Sequence, residues 1–368
     1  MMGDPPDAVS GRKLASGRNA GNGRTGRSET KDVEWFEASW NPTAGCSLYS
    51  PGCEHCYAMR IAARLAGMGG KTGARYAGLT RTERFGPIWT GETRVSEDLL
   101  GWPLFRASPR RIAVDLMSDL FHENLATATI DLLHAVIRAA HWHRFLVLTK
   151  RAGRMRAYYS DPQTPRRIAE KADLLSSGIL PVPSRRRRST NRVDRMMRPA
   201  GPEPWPLPNL WLGVSIEDQD RMARVGDLLQ TPAAMRWVCF EPLLDRVRPD
   251  AVPVDDNYFD ACGGVHYGID GRGRTVPVEG PAWRPLDWIV VGGEIGAGAR
   301  PMHPQWVREL RDKSISAEIP FFFRQWGEWA PASNSRSEET MTRVGIRSAG
   351  RLLDGRTWNE IPATIQAE

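Results

Sequence analysis

The chain has 368 residues, 41% of them hydrophobic, and carries 50 Lys and Arg against 43 Asp and Glu for a net charge of +7. That length suffices for one large core or two ordinary domains, no run of eighteen apolar residues is present to cross a membrane, and the start has no apolar stretch to serve as a signal peptide. A cytoplasmic protein with no membrane partner is therefore expected, and five cysteines without a secretion signal argue against a disulfide framework and for thiols kept reduced for metal binding or chemistry.

Residues 1–31 carry six basic and three acidic side chains. They hold too few apolar residues to offset the entropy of ordering, so they read as a disordered basic tail. Glu34 to Trp40 reads as a first strand, which runs into WNPTAGCSLYSPGCEHCY (Trp40 to Tyr57). There the turn residues Asn41, Pro42, Gly45, Pro51 and Gly52 carry Cys46, Cys53 and Cys56 at a C-x6-C-x2-C spacing, and Cys56 opens a helix-like run, CYAMRIAARLAG. Apolar runs follow at 111–119, 144–151, 210–218, 236–244, 288–294 and 320–327. Consecutive apolar residues, many β-branched or aromatic, describe strands buried on both faces of a parallel sheet. Between them, 124–142 and 217–230 repeat apolar residues at helical spacing, and Pro304 opens another helix.

This alternation predicts an α/β fold, a complete or partial (β/α) barrel, with an open doubly wound sheet as the competing architecture. One domain is expected over 32–335, followed by a C-terminal extension over 336–368. Two long loop insertions interrupt it, at about 160–208 and 249–286. Within the first, residues 181–200 hold seven arginines against one aspartate. This segment and the tail read either as solvated charge or as contacts for nucleic-acid phosphates.

In such folds the active site forms at the carboxyl ends of the strands. The residues placed there are unusually polar: Asp115, Ser118, Asp119, Thr149, Lys150, Arg151, Ser215, Glu217, Asp218, Glu241, Gly292, Gly293, Glu294, Gln325 and Trp326. About half of the Ser, Thr and Asp in such positions cap the next helix. Lys150, Glu241, Glu294 and Gln325, long polar side chains directly after buried strands, do not fit that role. The three thiols follow the first strand, so they belong to the same mouth, where a helix amino end favours thiolate and sulfide-rich anions. Three states are open to them: an iron–sulfur cluster on three cysteines with one open iron, a structural Zn2+ completed by His55, Cys262 or His266, or unmetallated thiols. Cys239 reads as a small core residue, Cys262 as a loop thiol, and most of the fourteen tryptophans as rim and core packing.

Three cysteines near the end of a first strand, followed by a chain of βα units, resemble the radical S-adenosylmethionine superfamily. WNPTAGCSLYSPGCEHCYA, SDLFHE, LVLTKR, LWLGVSIED, FEPLL, WIVVGGEIGAGARPM and FFFRQWG, over about residues 33–330, together resemble a phage- and prophage-associated three-cysteine-motif family of unknown function. The superfamily's commonest spacing is C-x3-C-x2-C, so the first gap here is three residues longer. The resemblance implies a radical-SAM-like barrel with a [4Fe–4S] cluster on Cys46, Cys53 and Cys56 whose open iron chelates S-adenosylmethionine. Tyr57, Ser118, Asp119, Ser215, Glu217, Gly292, Gly293 and Glu294 would bind that cofactor, and Lys150, Glu241 and Gln325 would act on substrate. The reduced cluster would cleave the cofactor to a 5′-deoxyadenosyl radical that removes hydrogen from substrate. An electron-donor protein would be a partner, and a nucleic acid or nucleotide the substrate class. From another class comes the alternative of a non-catalytic zinc or cluster module that docks on nucleic acid or protein.

Overall fold

The apolar runs form seven strands: β1 (Ala38–Trp40), β2 (Arg111–Val114), β3 (Arg144–Thr149), β4 (Leu210–Ser215), β5 (Met235–Phe240), β6 (Trp288–Gly292) and β7 (Phe321–Gln325). This is a computed structural model and describes residues 34–84, 86–177, 204–332 and 340–363; the 1–31 tail and residues 181–200 lie outside the described residues. Every pairing within the sheet is parallel and the strands lie side by side in chain order. A doubly wound sheet would reverse its order partway, so the curled half-barrel is the architecture that formed. β1 and β7 do not pair, yet the curl brings them close: Arg324 Nε in β7 lies 3.2 Å from Glu34 Oε2, just before β1.

Period-two alternation divides each strand between two environments. Residues such as Val114, Val147, Leu212, Phe240, Val291 and Phe323 face the main core under the helices. Ala113, Leu146, Trp211, Trp237, Cys239, Trp288 and Phe322 fill the concave interior. Trp237 lies 5.0 Å from Trp35 and 5.5 Å from Trp288 between ring centres. Gly213 makes this possible, because a Cβ there would overlap the Trp237 indole. The large rings fill much of the amino half of the interior.

The outer helices are α1 (Tyr57–Ala66), α2 (Thr127–Ala139), α3 (Ala152–Ser160), α4 (Thr164–Ser176), α5 (Ala223–Leu229) and α6 (Pro304–Ser316). Pro304 does open α6, with the His303 ring accepting from Gln305 N. The helix expected over 217–230 is instead a 3-10 turn, Gln219–Met222, capped by the Asp218 side chain and followed by α5. Among the described residues no helix is long and apolar enough to cross a membrane.

The two expected loop insertions need correction. Residues 249–286 are not a loop: Val252–Val254, Asn257–Asp260, Val265–Ile269 and Thr275–Pro277 form a four-stranded antiparallel sheet. Its glycines and aspartates are turn residues, with positive φ at Asp255, Gly264 and Gly273. The C-terminal extension belongs to the main sheet. Phe323 N donates to Trp358 O (3.0 Å) and Glu360 N to Phe321 O (3.2 Å), so this segment covers the free edge of β7. The insertion at 160–208, in turn, begins with α4.

Candidate functional site

A cavity of about 930 Å³ occupies the carboxyl end of the half-barrel and follows the seam between β1 and β7. Above the apolar floor, the inward positions at the strand ends become Lys150, Ser215, Glu241 and Arg324. Lys150 Nζ donates to Ser215 Oγ (2.8 Å) and to Glu217 Oε2 (3.0 Å), and Arg224 Nη1 reaches the same carboxylate oxygen at 3.0 Å. Arg324 Nη1 donates to Glu241 Oε1 (2.5 Å), and Gln325 Nε2 lies 3.3 Å from that atom.

These charges are buried, so their partners decide their state. Burial alone would raise the Glu217 pKa, but Lys150 and Arg224, helped by Ser50, outweigh it and hold the carboxyl below its usual range. Glu217 Oε1 makes no hydrogen bond. Burial opposes the charge of Arg324, yet Glu241 and Glu34 keep the guanidinium firmly protonated. Asp115 behaves oppositely. Its Oδ1 accepts from Thr43 N (3.0 Å), its Oδ2 has no partner, and burial pushes the carboxyl up to about 7.

The cysteine loop is fastened to this mouth at several points. Gly45 N donates to Met117 O (3.2 Å) and Ser118 Oγ to Gly45 O (2.8 Å). At φ +93, with the Glu92 carbonyl where a Cβ would go, position 45 requires glycine. Gly52 packs on the charged network: a Cβ there would stand 3.2 Å from Lys150 Nζ. Arg300 holds both oxygens of Glu294 (2.9 and 2.6 Å) and donates to Pro51 O (2.9 Å) and Glu54 Oε2 (3.1 Å). Arg151 places Nη1 3.7 Å from Cys46 Sγ and 3.0 Å from Asp119 Oδ2, with Nη2 2.7 Å from Ser47 Oγ. Tyr49, within the lengthened first gap, lies against both Arg151 (4.8 Å) and Arg224 (5.4 Å).

Cys46, Cys53 and Cys56 all line the cavity as free thiols, and Cys56 is the residue from which α1 starts. Burial, with Asp119, pushes the Cys46 thiol up to about 12 against the pull of Arg151. Burial also raises Cys56, although the N–H groups of Ala58 and Met59 favour its thiolate. Cys46 and Cys56 are therefore held as thiols at neutral pH, and any metal bound to them would have to displace their protons.

Of the residues proposed from sequence, Tyr57, Ser118, Asp119, Lys150, Ser215, Glu241, Gly293 and Glu294 line the same cavity as the thiols, while Glu217, Gly292 and Gln325 do not. Glu217 supports Lys150 from behind, and Gly292 and Gln325 pack on Glu241. Asp119 is already engaged by Thr149 Oγ1, Arg151, Phe121 N and Lys150 N. Of the fourth zinc ligands considered, His55 lines the cavity, whereas Cys262 and His266 do not. Cys262 sits in the main core, and His266 lies 2.9 Å from Pro281 O, against Trp283. Cys239 is the core residue expected, and it also touches the cavity floor. Sequence reasoning placed Arg151 at the mouth without a role and missed Arg300 and Arg324. For Arg324 a signal existed: two residues after inward-facing Phe322, it falls on the concave face.

A family model described as protein of unknown function (DUF5131) matches residues 30–362. No curated protein and no solved structure matches the chain.

Proposed function

We propose that this chain, which belongs to the DUF5131 family, is an iron–sulfur enzyme that binds S-adenosylmethionine beside a three-thiol centre and acts on a nucleic acid or nucleotide. What carries this reading is that three thiols from one loop line a polar cavity, at the carboxyl mouth of a parallel sheet wound in chain order. Among the described residues no three or more His, Cys, Asp or Glu side chains converge as a single ion requires. A structural staple would have no use for the cavity beside it.

Cys46, Cys53 and Cys56 would hold a [4Fe–4S] cluster, which when bound would supply the electron for reductive cleavage of S-adenosylmethionine. The chain's own residues would do the positioning. Arg151 beside Cys46 and the amino end of α1 at Cys56 offset anionic charge. Tyr57, 36% exposed, and the backbone around His55 offer a seat for adenine. Glu294, held by Arg300, is the carboxylate for the cofactor's ammonium group, while Asp119 is taken up by its four donors. Lys150 and Glu241, fixed by Glu217 and Arg324, face the substrate.

Cys53→Ala tests the centre directly. After anaerobic purification the variant should keep the wild-type circular dichroism but lose bound iron and sulfide. Retention of the full iron content would remove this loop from the centre.

A further inference from the structure

The cavity does not end at the thiols. It follows the free edge of β1 to the amino end of β2, where Arg106, Arg110 and Arg111 line it. Four residues of β2 separate that end from Asp115 at the mouth, a span of about 13 Å at a strand rise of about 3.3 Å per residue. The acidic groups along this edge are Glu34 and Glu37, and neither pairs with Arg110. Glu37 accepts from Arg111 N (2.8 Å) and lies 3.9 Å from its Nη1, and Glu34 is held by Arg324 (3.2 Å). Among the described residues the Arg110 side chain makes no ion pair or hydrogen bond, and the buried Nε of Arg111 has no hydrogen-bond partner. Arg106 lies over the Trp102 indole, 4.8 Å from its centre, so an aromatic surface accompanies the charge.

We infer that the amino end of the seam is a phosphate seat for a nucleotide-bearing substrate. Arg110 and Arg111 take the phosphate, since guanidinium forks match phosphate oxygens in charge and geometry. The rest of the ligand extends along β1 towards the thiols. This deepens the enzyme reading above, because it gives the substrate an orientation in the same cavity.

The test uses the full-length protein without S-adenosylmethionine or reductant. It is titrated calorimetrically with thymidine, thymidine 5′-monophosphate and a 5′-phosphorylated thymidine octanucleotide. At least one phosphorylated ligand should bind about tenfold or more tighter than thymidine, and Arg110→Ala should remove about tenfold of that affinity. Arg166→Ala, on the exposed face of α4 and paired with Glu170, should leave it unchanged. Binding of the mononucleotide identifies a free nucleotide as the source of the phosphate, and binding of the octanucleotide alone identifies a strand. No preference over thymidine, or an Arg110→Ala variant that binds every ligand as the wild type does, overturns the seat. Because no cofactor is present, failure of S-adenosylmethionine cleavage and failure of this seat are separate results.

Discussion

Asp115 sits at φ +55 at the end of β2, with one oxygen on the Thr43 amide and the other without a partner. Its pKa rises from 3.8 to about 7 on folding, first because of burial and then because of Asp119. The folded protein thus holds the proton more tightly than the unfolded chain. The stability this contributes is complete below about pH 4 and is lost as pH rises through about 7. Asp115→Asn keeps the acceptor for Thr43 and tolerates the left-handed backbone, but it cannot ionise. Its gain in unfolding free energy over wild type should be larger near pH 8.5 than near pH 5, by on the order of a few kcal/mol. Equal gains at both would contradict the assignment. At this scale the sequence revealed Lys150 and Glu241, because a polar side chain directly after a buried strand has few other places to go. It did not reveal what holds them. The role of Arg324 depends on Glu241, 83 residues away, and that of Arg151 on Cys46, 105 residues away, distances that no local pattern encodes.

Six apolar runs located their strands within a few residues because burial on both faces demands an uninterrupted apolar stretch. The antiparallel sheet over 252–277 has no such stretch. Its strands are three to five residues long and expose Tyr258, Val265 and Ile269, so only the turn residues were conspicuous. The C-terminal strand-like segment was hidden for a related reason: Trp358 makes sense only against β7. It is 7% exposed, lies 5.9 Å from Phe321 between ring centres, and is flanked by the guanidinium of Arg356 at 3.7 Å and that of Arg311 at 5.5 Å. Trp358→Ala should lower the unfolding free energy by about 3 kcal/mol and, by uncovering an edge strand, promote association. Urea titration and light scattering check both effects. An unchanged urea midpoint would mean that the segment merely rests on the sheet.

At the scale of the whole molecule, alternating strands and helices indicated a barrel, complete or partial, without deciding whether it closes. Closure depends on how the first and last strands meet, which is a property of the assembled curl. Here β1 and β7 stay unpaired, and the seam between them joins the thiol end of the cavity to the arginine end. The net charge of +7 was equally ambiguous as a sum. Within the described residues, what matters for a ligand is that Arg110, without a side-chain partner, borders a cavity. The most direct measurement is anaerobic purification with iron and sulfide analysis, followed by addition of reductant and S-adenosylmethionine and a chromatographic search for 5′-deoxyadenosine. The predicted result is about four iron and four sulfide per chain, with 5′-deoxyadenosine formed only when reductant is present and absent from Cys53→Ala. A colourless protein carrying one zinc and forming no 5′-deoxyadenosine would contradict it.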